Sequence, residues 1–346
     1  MRRLRLLDHV ALGAVLILPL FLLYGRSIAE VMIALADVCF LVRSGVERRW
    51  EWLGRPWLGI GLVWWVWLVI CSLPFAPFAN DGLHALSEAI VTVRFLIFVA
   101  ALENCVLRQP AARRWLSWSL TAALLWIGVE AVQQYATGHN IFGDPRAGDG
   151  VLTGPFDKQR AGPPFSRLLF PVVLAPVAAL LGRARSSPRA AGVVLMLAAI
   201  AVQVLIGQRM PVLLMGMGLV VTFLLMPRLR VLMAAGCVAA LLLIGASVVI
   251  SPPTYHRLVG KFSRQMHHFR SSAYGELYVR AVVIAREHPL LGLGFDGFRN
   301  DCPQPQYFHD LTWVVTGHDR PGFVSQGAAV CTEHPHNHYL QAVTDA

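Results

Sequence analysis

The chain has 346 residues, 56% of them hydrophobic and only 14% charged, with a mean hydropathy of +0.55. A soluble domain is about a quarter charged, so this apolar excess excludes one soluble core and predicts an integral membrane protein. The net charge of +10 is carried almost wholly by arginine, with Lys158 and Lys261 the only lysines; short arginine clusters between apolar runs follow the positive-inside rule and are not a nucleic-acid footprint.

The spacing predicts an all-α, polytopic integral membrane protein with about nine transmembrane helices and a large C-terminal segment on the outer side. The basic start, Met1 to Arg5, belongs in the cytoplasm. No small-residue cleavage site follows the first apolar run, so that run is a retained helix. Span one covers about 9–24, and span two, about 27–42, carries Glu30 and Asp37. Arg43, Arg48, Arg49 and Arg55 then mark the inside. Span three, about 57–75, holds Trp64, Trp65 and Trp67 and leads to an outer turn at Asn80 and Asp81. Span four, about 84–107, contains Glu88 and Arg94, an intramembrane pair that serves either structure or function. Arg108, Arg113 and Arg114 return the chain inside before span five, about 115–135.

An outer loop, 136–167, is rich in Gly, Pro and charge. Span six, about 168–181, has Pro171 and Pro176, and spans seven to nine follow at about 190–206, 212–226 and 231–250, with inner arginines at 183, 185, 189, 228 and 230. This divides the chain into a transmembrane domain, 1–250, and an outer segment, 251–346, which is periplasmic if the outer side is a periplasm. There Tyr255–Arg270 puts Leu258, Phe262, Met266 and Phe269 on one stripe of a basic helix, suited to a bilayer surface or to packing on the spans. Tyr274–His288 is a second amphipathic helix, with Glu276, Arg280 and Glu287 on one face. Cys302 and Cys331 lie in this outer segment and are expected to pair if that side is oxidising.

The segment ends in Cys331-Thr-Glu-His-Pro-His-Asn-His-Tyr-Leu-Gln341, with His334, His336 and His338 at alternate positions. Pro335 favours a helix start after it, which places His336 near a helix N-terminus, where the imidazolium is disfavoured and a neutral base is suited. A solvated loop and a zinc site are the competing readings, the latter weakened by Pro335 and by the lack of a completing ligand pattern.

Four stretches in order, Thr153-Gly-Pro-Phe-Asp157, Ile206-Gly-Gln-Arg209, Arg280 with His288-Pro-Leu-Leu-Gly-Leu-Gly294 and Phe298, and His336-Asn-His-Tyr-Leu340, resemble the O-antigen ligase and polymerase family of bacterial envelope glycosyltransferases over about residues 85–345. The resemblance implies a membrane enzyme at the periplasmic face that moves a glycan from an undecaprenyl-diphosphate carrier to an acceptor hydroxyl. Ligases use the lipid A core; polymerases use another carrier-linked glycan; some relatives glycosylate proteins. It also implies functional importance for Arg209, Arg280 and His336. Two departures stand out. Asp157 to Arg160 replaces an Asn-Pro of the first motif, and the family continues through further spans beyond the histidine helix, so the chain is expected to be a shortened form.

The same residues suit that chemistry physically. The leaving diphosphate needs fixed cations, and Arg209, at a membrane face beside a helix N-terminus, is one. Its alternative is an interfacial snorkelling arginine. Arg280 is a second candidate, or simply pairs with Glu276. Lys158 and Arg160 are further phosphate candidates, or attract anionic membrane lipid. His336 is the expected catalytic base, with Asn337 and His338 beside it for substrate, and Arg209, Arg280 and His336 are expected to face a common cavity. No metal or other cofactor is expected; direct displacement and the resemblance, and no residue, imply an inverting transfer. A transporter of lipid-linked glycan and a non-catalytic scaffold are the readings from other classes.

The topology is testable by labelling single cysteines with a membrane-impermeant maleimide. Arg270→Cys is expected to label from outside and Arg49→Cys only after the membrane is opened; the reverse pattern overturns the orientation.

Overall fold

The computed structural model describes residues 2–74, 82–148, 150–183, 185–332 and 334–346. The expected turn at Asn80 and Asp81 lies outside them. The described chain is helical, with one isolated bridge between His139 and Pro145. In order the first helices are α1 (Arg2–Tyr24), α2 (Arg26–Glu47), α3 (Pro56–Cys71), α4 (Gly82–Val91), α5 (Val93–Ala101), α6 (Pro110–Thr137), α7 (Gly162–Leu181), α8 (Ser186–Ile206), α9 (Arg209–Leu225) and α10 (Arg230–Ile250). Among the described residues, six stretches are long and apolar enough to cross a membrane: Leu4–Tyr24, Leu83–Val106, Pro110–Thr137, Gly162–Leu181, Ser186–Ile206 and Pro227–Ile250. The other three expected spans fall on α2, which carries too much charge for that criterion, and on α3 and α9, which are shorter apolar helices. The protein is a multi-pass helical membrane protein.

Local chemistry sets the boundaries. Pro110 opens α6 and Gly138, at φ 88°, closes it; Gly207, at φ 75°, closes α8. Helix α3 buries only Leu58, Leu68 and Cys71, and leaves Ile60 and Val63 more than 70% exposed, as a lipid-facing helix would. Helix α7 runs unbroken through Pro171 and Pro176 and begins six residues before its expected span, which shortens the outer loop.

Two compact units result. One comprises Met1–Val15, Glu30–Arg108 and Gln265–Ala346; the other comprises Leu16–Ala29 and Gln109–Arg264. Packing therefore does not divide at residue 250: residues 251–264 belong with the apolar helices of the second unit. That unit is built on Ile127, Leu169, Ile200, Met215, Leu219 and Met233, contributed by α6 to α10. The expected basic helix over 255–270 is instead four short pieces: α11 (Pro252–Tyr255), a π-helical turn His256–Lys261, α12 (Phe262–His267) and a 3-10 turn Phe269–Ser271. The π turn changes the register, so Leu258 is buried in the core while Met266 is 49% exposed.

In the first unit, Arg94 pairs with Glu30 at 2.6 Å, not with Glu88, which instead meets His84 at 3.5 Å. The sequence neighbour lost to a residue on another helix. The remaining elements of this unit are α13 (Ala273–Glu287), α14 (Gly297–Asp301), α15 (Leu311–Thr316) and α16 (His338–Asp345). Ser272 caps α13 by accepting from the Gly275 amide at 3.1 Å. Leu277, Val283, Ile284, Leu293, Phe298 and Tyr307 form the core of this region, with Leu340 packed against it.

The Gly-rich run after α13 is the seat of α16. Leu293 N donates to Thr344 O at 2.8 Å. Gly292 has φ 53°, and a Cβ there would lie 2.6 Å from Thr344 O and 2.7 Å from Ala346 N. Any side chain at this position meets backbone, which cannot yield cheaply. Gly292→Ala is expected to undock α16, raising amide exchange over residues 338–345 by at least about tenfold while α13 stays protected; unchanged exchange would sink this account of the motif.

Candidate active site

The histidine stretch is held at both ends. Asn337 caps α16, its Oδ1 accepting from Tyr339 N at 2.9 Å and Leu340 N at 3.2 Å. Helix α16 thus starts two residues later than Pro335 alone suggests. His336 lies just outside the helix with φ 54°, a left-handed conformation that non-glycine residues adopt only where the surroundings impose it. Its residue surface is open to solvent, yet one side of the ring packs on Tyr274, at 5.4 Å between centroids, and the other meets His334 at 4.7 Å. That packing, and then the positive charge His334 can carry, hold the His336 imidazole below its ordinary pKa of 6.5. It is therefore neutral at pH 7 and free to accept a proton.

Arg280 lies inside the protein. It is fully buried. One terminal nitrogen donates to Glu276 at 3.2 Å, Ser325 Oγ at 3.0 Å and Gly327 O at 2.8 Å. The other donates to Cys302 O at 3.2 Å and Cys331 Sγ at 2.9 Å. The guanidinium also lies over the Phe308 ring, 4.0 Å from its centroid. Burial lowers the Arg280 pKa and Glu276 works against that shift. Of its two expected places, pairing with Glu276 is the one the contacts show, inside the protein and not on a solvated face. Glu276 is also occupied, accepting from Ser325 Oγ at 2.9 Å and Gln326 N at 3.1 Å.

The expected Cys302–Cys331 disulfide is present, with 5.9 Å between Cα atoms. It joins the turn after α14 to the start of the histidine stretch, directly over the Arg280 guanidinium. Cys39, Cys71, Cys105 and Cys237 are free thiols.

His338 is exposed and lines a cleft of about 260 Å³ with Trp64, Leu68, Phe295, Gln341 and Asp345. Burial and the neighbouring Asp296 push the Asp345 carboxyl up to about 7. The floor of this cleft is fixed by Phe295 N, which donates to Ser72 Oγ at 2.9 Å. Three participants escaped the sequence. Tyr274 had no signal beyond its place in the first turn of α13. Trp64 was legible only as one of three apolar tryptophans, and Asp345 only as a polar residue near the end.

Arg209, Lys158 and Arg160 belong to the other unit. Arg209 opens α9, directly after Gly207 and the buried Gln208. Lys158 and Arg160 are exposed just before α7, and Gln159 between them accepts from Arg257 at 2.8 Å. The first motif is anchored by the fully buried Gln134, whose Oε1 accepts from Thr153 N at 2.7 Å and Gly154 N at 3.2 Å. Leu152 N donates to Ile206 O at 3.3 Å, which ties the first motif to the end of α8 and so to the start of the second.

Comparison with known proteins adds one finding. Residues 191–346 match the family model described as O-antigen ligase. No curated protein and no solved structure gives a match.

The Arg280 hub makes a stability prediction. Arg280→Met alone leaves Glu276 buried and unpaired, and is expected to cost about 3–5 kcal/mol. Combining it with Glu276→Leu is expected to recover much of that loss, read by thermal unfolding in detergent. A single variant as stable as the parent would show that the buried pair is dispensable.

Proposed function

Residues 191–346 belong to the O-antigen ligase family, and from that premise we propose that the chain transfers a glycan from undecaprenyl diphosphate to an acceptor hydroxyl of the lipid A core at the periplasmic face of the inner membrane. The acceptor oxygen attacks the anomeric carbon, the bond to the diphosphate oxygen breaks with inversion, and the hydroxyl proton passes to His336. The observation that carries this reading is His336 itself: solvent-open, held in a left-handed conformation and neutral at pH 7. A positioned neutral imidazole contributes about 100- to 10,000-fold as a general base.

Arg209, Lys158 and Arg160 are the proposed cations for the leaving diphosphate, with no metal ion assigned to that task. Arg209 is the principal one, because a guanidinium can offer two parallel donors to a phosphate. Arg280 acts indirectly, as a positioning residue beneath the disulfide. Asn337 acts through its cap on α16, and His338 through the cleft that it lines, where Trp64 supplies an aromatic face to a sugar.

His336→Ala is expected to retain binding of carrier-linked glycan and to lose transfer by about a hundredfold or more. Wild-type transfer is expected to rise with pH as the imidazolium loses its proton. Its midpoint lies below 6.5 because the folded protein disfavours the charged form, and His334→Ala should move the midpoint up. Normal transfer by His336→Ala, with transfer lost in His338→Ala, would assign the base to the other histidine. In cells, deletion should leave lipid A core without its glycan; core bearing single repeats would instead indicate a polymerase.

A further inference from the structure

A second polar pocket, remote in sequence from the histidine stretch, lies among the C-terminal end of α2, the 3-10 turn Glu51–Gly54 and the π-helical turn Leu102–Val106. Its volume is about 340 Å³. Arg43 on its wall is already engaged by Asp8 and, at 3.4 Å, by Glu47. Arg49 reaches the same Glu47 at 3.8 Å. Two charges lining the pocket make no ion pair among the described residues: Arg108 and Glu51, one of each sign.

Trp52 supplies the independent observation. It lines the pocket at 8% exposure, packed on Phe40 at 5.2 Å between centroids. Its indole Nε1 is buried and has no hydrogen-bond partner among the described residues. A buried donor left unpaired is rare in a folded protein and calls for an acceptor. The same turn exposes Trp50 at 45% and Leu53 at 51%, so an apolar surface borders the polar pocket. Tryptophan and arginine in this arrangement are typical of the headgroup level of a bilayer.

We propose that this pocket binds the headgroup of a zwitterionic phospholipid of the phosphatidylethanolamine type. The phosphate accepts from the Trp52 indole and from Arg108; the ammonium meets Glu51; the acyl chains leave along the surface that carries Trp50 and Leu53. An anionic lipid without an ammonium satisfies Trp52 and Arg108 but leaves Glu51 facing like charge. The pocket therefore selects by headgroup as well as by apolar area.

The test is native mass spectrometry on the full chain, delipidated in detergent and titrated with phosphatidylethanolamine, phosphatidylglycerol or soluble glycerophosphoethanolamine. Phosphatidylethanolamine is expected to bind one site at least about tenfold tighter than phosphatidylglycerol. Trp52→Phe combined with Arg108→Gln should weaken both lipids by about tenfold or more, the scale of a lost charge-assisted hydrogen bond. Glu51→Gln should abolish the preference between them. Arg108 and Glu51 are exposed and Trp52→Phe keeps an aromatic ring against Phe40, so the unfolding temperature, measured on every variant, separates lost binding from lost fold. Equal affinity for the two lipids in the parent, or unchanged affinity in the Trp52→Phe/Arg108→Gln variant, overturns the proposal. So does competition by glycerophosphoethanolamine at lipid concentrations, which would show a soluble ligand. None of these readouts depends on glycan transfer.

Discussion

The C-terminal region depends on one charge that never meets water. A bare guanidinium in a protein interior is untenable, so Arg280 must gather acceptors. It does so from three separate stretches of chain: its own helix at Glu276, the turn at Cys302, and the segment from Ser325 to Cys331. The penalty for leaving that charge unmet is what makes these contacts obligatory. A region whose last helices are short, and whose loops are long, thereby acquires one arrangement. The fixed segment ends at Cys331, and the histidine stretch continues directly from it.

The histidine stretch is fixed from the other side by backbone, not by charge. Helix α16 begins at His338. It persists because Asn337 caps its start and because the glycine-rich run admits its last turn at backbone contact distance. His336 sits between the proline and the cap, and its left-handed conformation follows from being pinned at both ends. Conformational strain and a depressed pKa thus have the same origin, the packing that holds this ring against Tyr274 and His334.

Much of this was legible in the sequence. The apolar runs and arginine clusters located the helices, since both depend on local composition. The disulfide was legible because only two cysteines fall in the C-terminal segment. What escaped were long-range pairings. Arg94 has a carboxylate six positions away in sequence yet pairs with Glu30 on α2. Arg280 on an amphipathic pattern looks solvated, because periodicity reports a helix's own faces and not what later covers them. A continuous stripe over 255–270 likewise implied one helix, where a π turn breaks the register. Asn337 looked like half of a chemical motif, and its backbone role became evident only with the cap geometry.

The cysteine cross-link has a consequence for timing. It forms only where thiols can be oxidised, and it lies over a guanidinium that contacts both of its halves. Where glutathione keeps thiols reduced, the histidine stretch lacks this covalent tether and rests on the Arg280 contacts and the seat of α16. A chain emerging into an oxidising compartment would thus complete its histidine site only after delivery, and the compartment itself would serve as the final step of maturation.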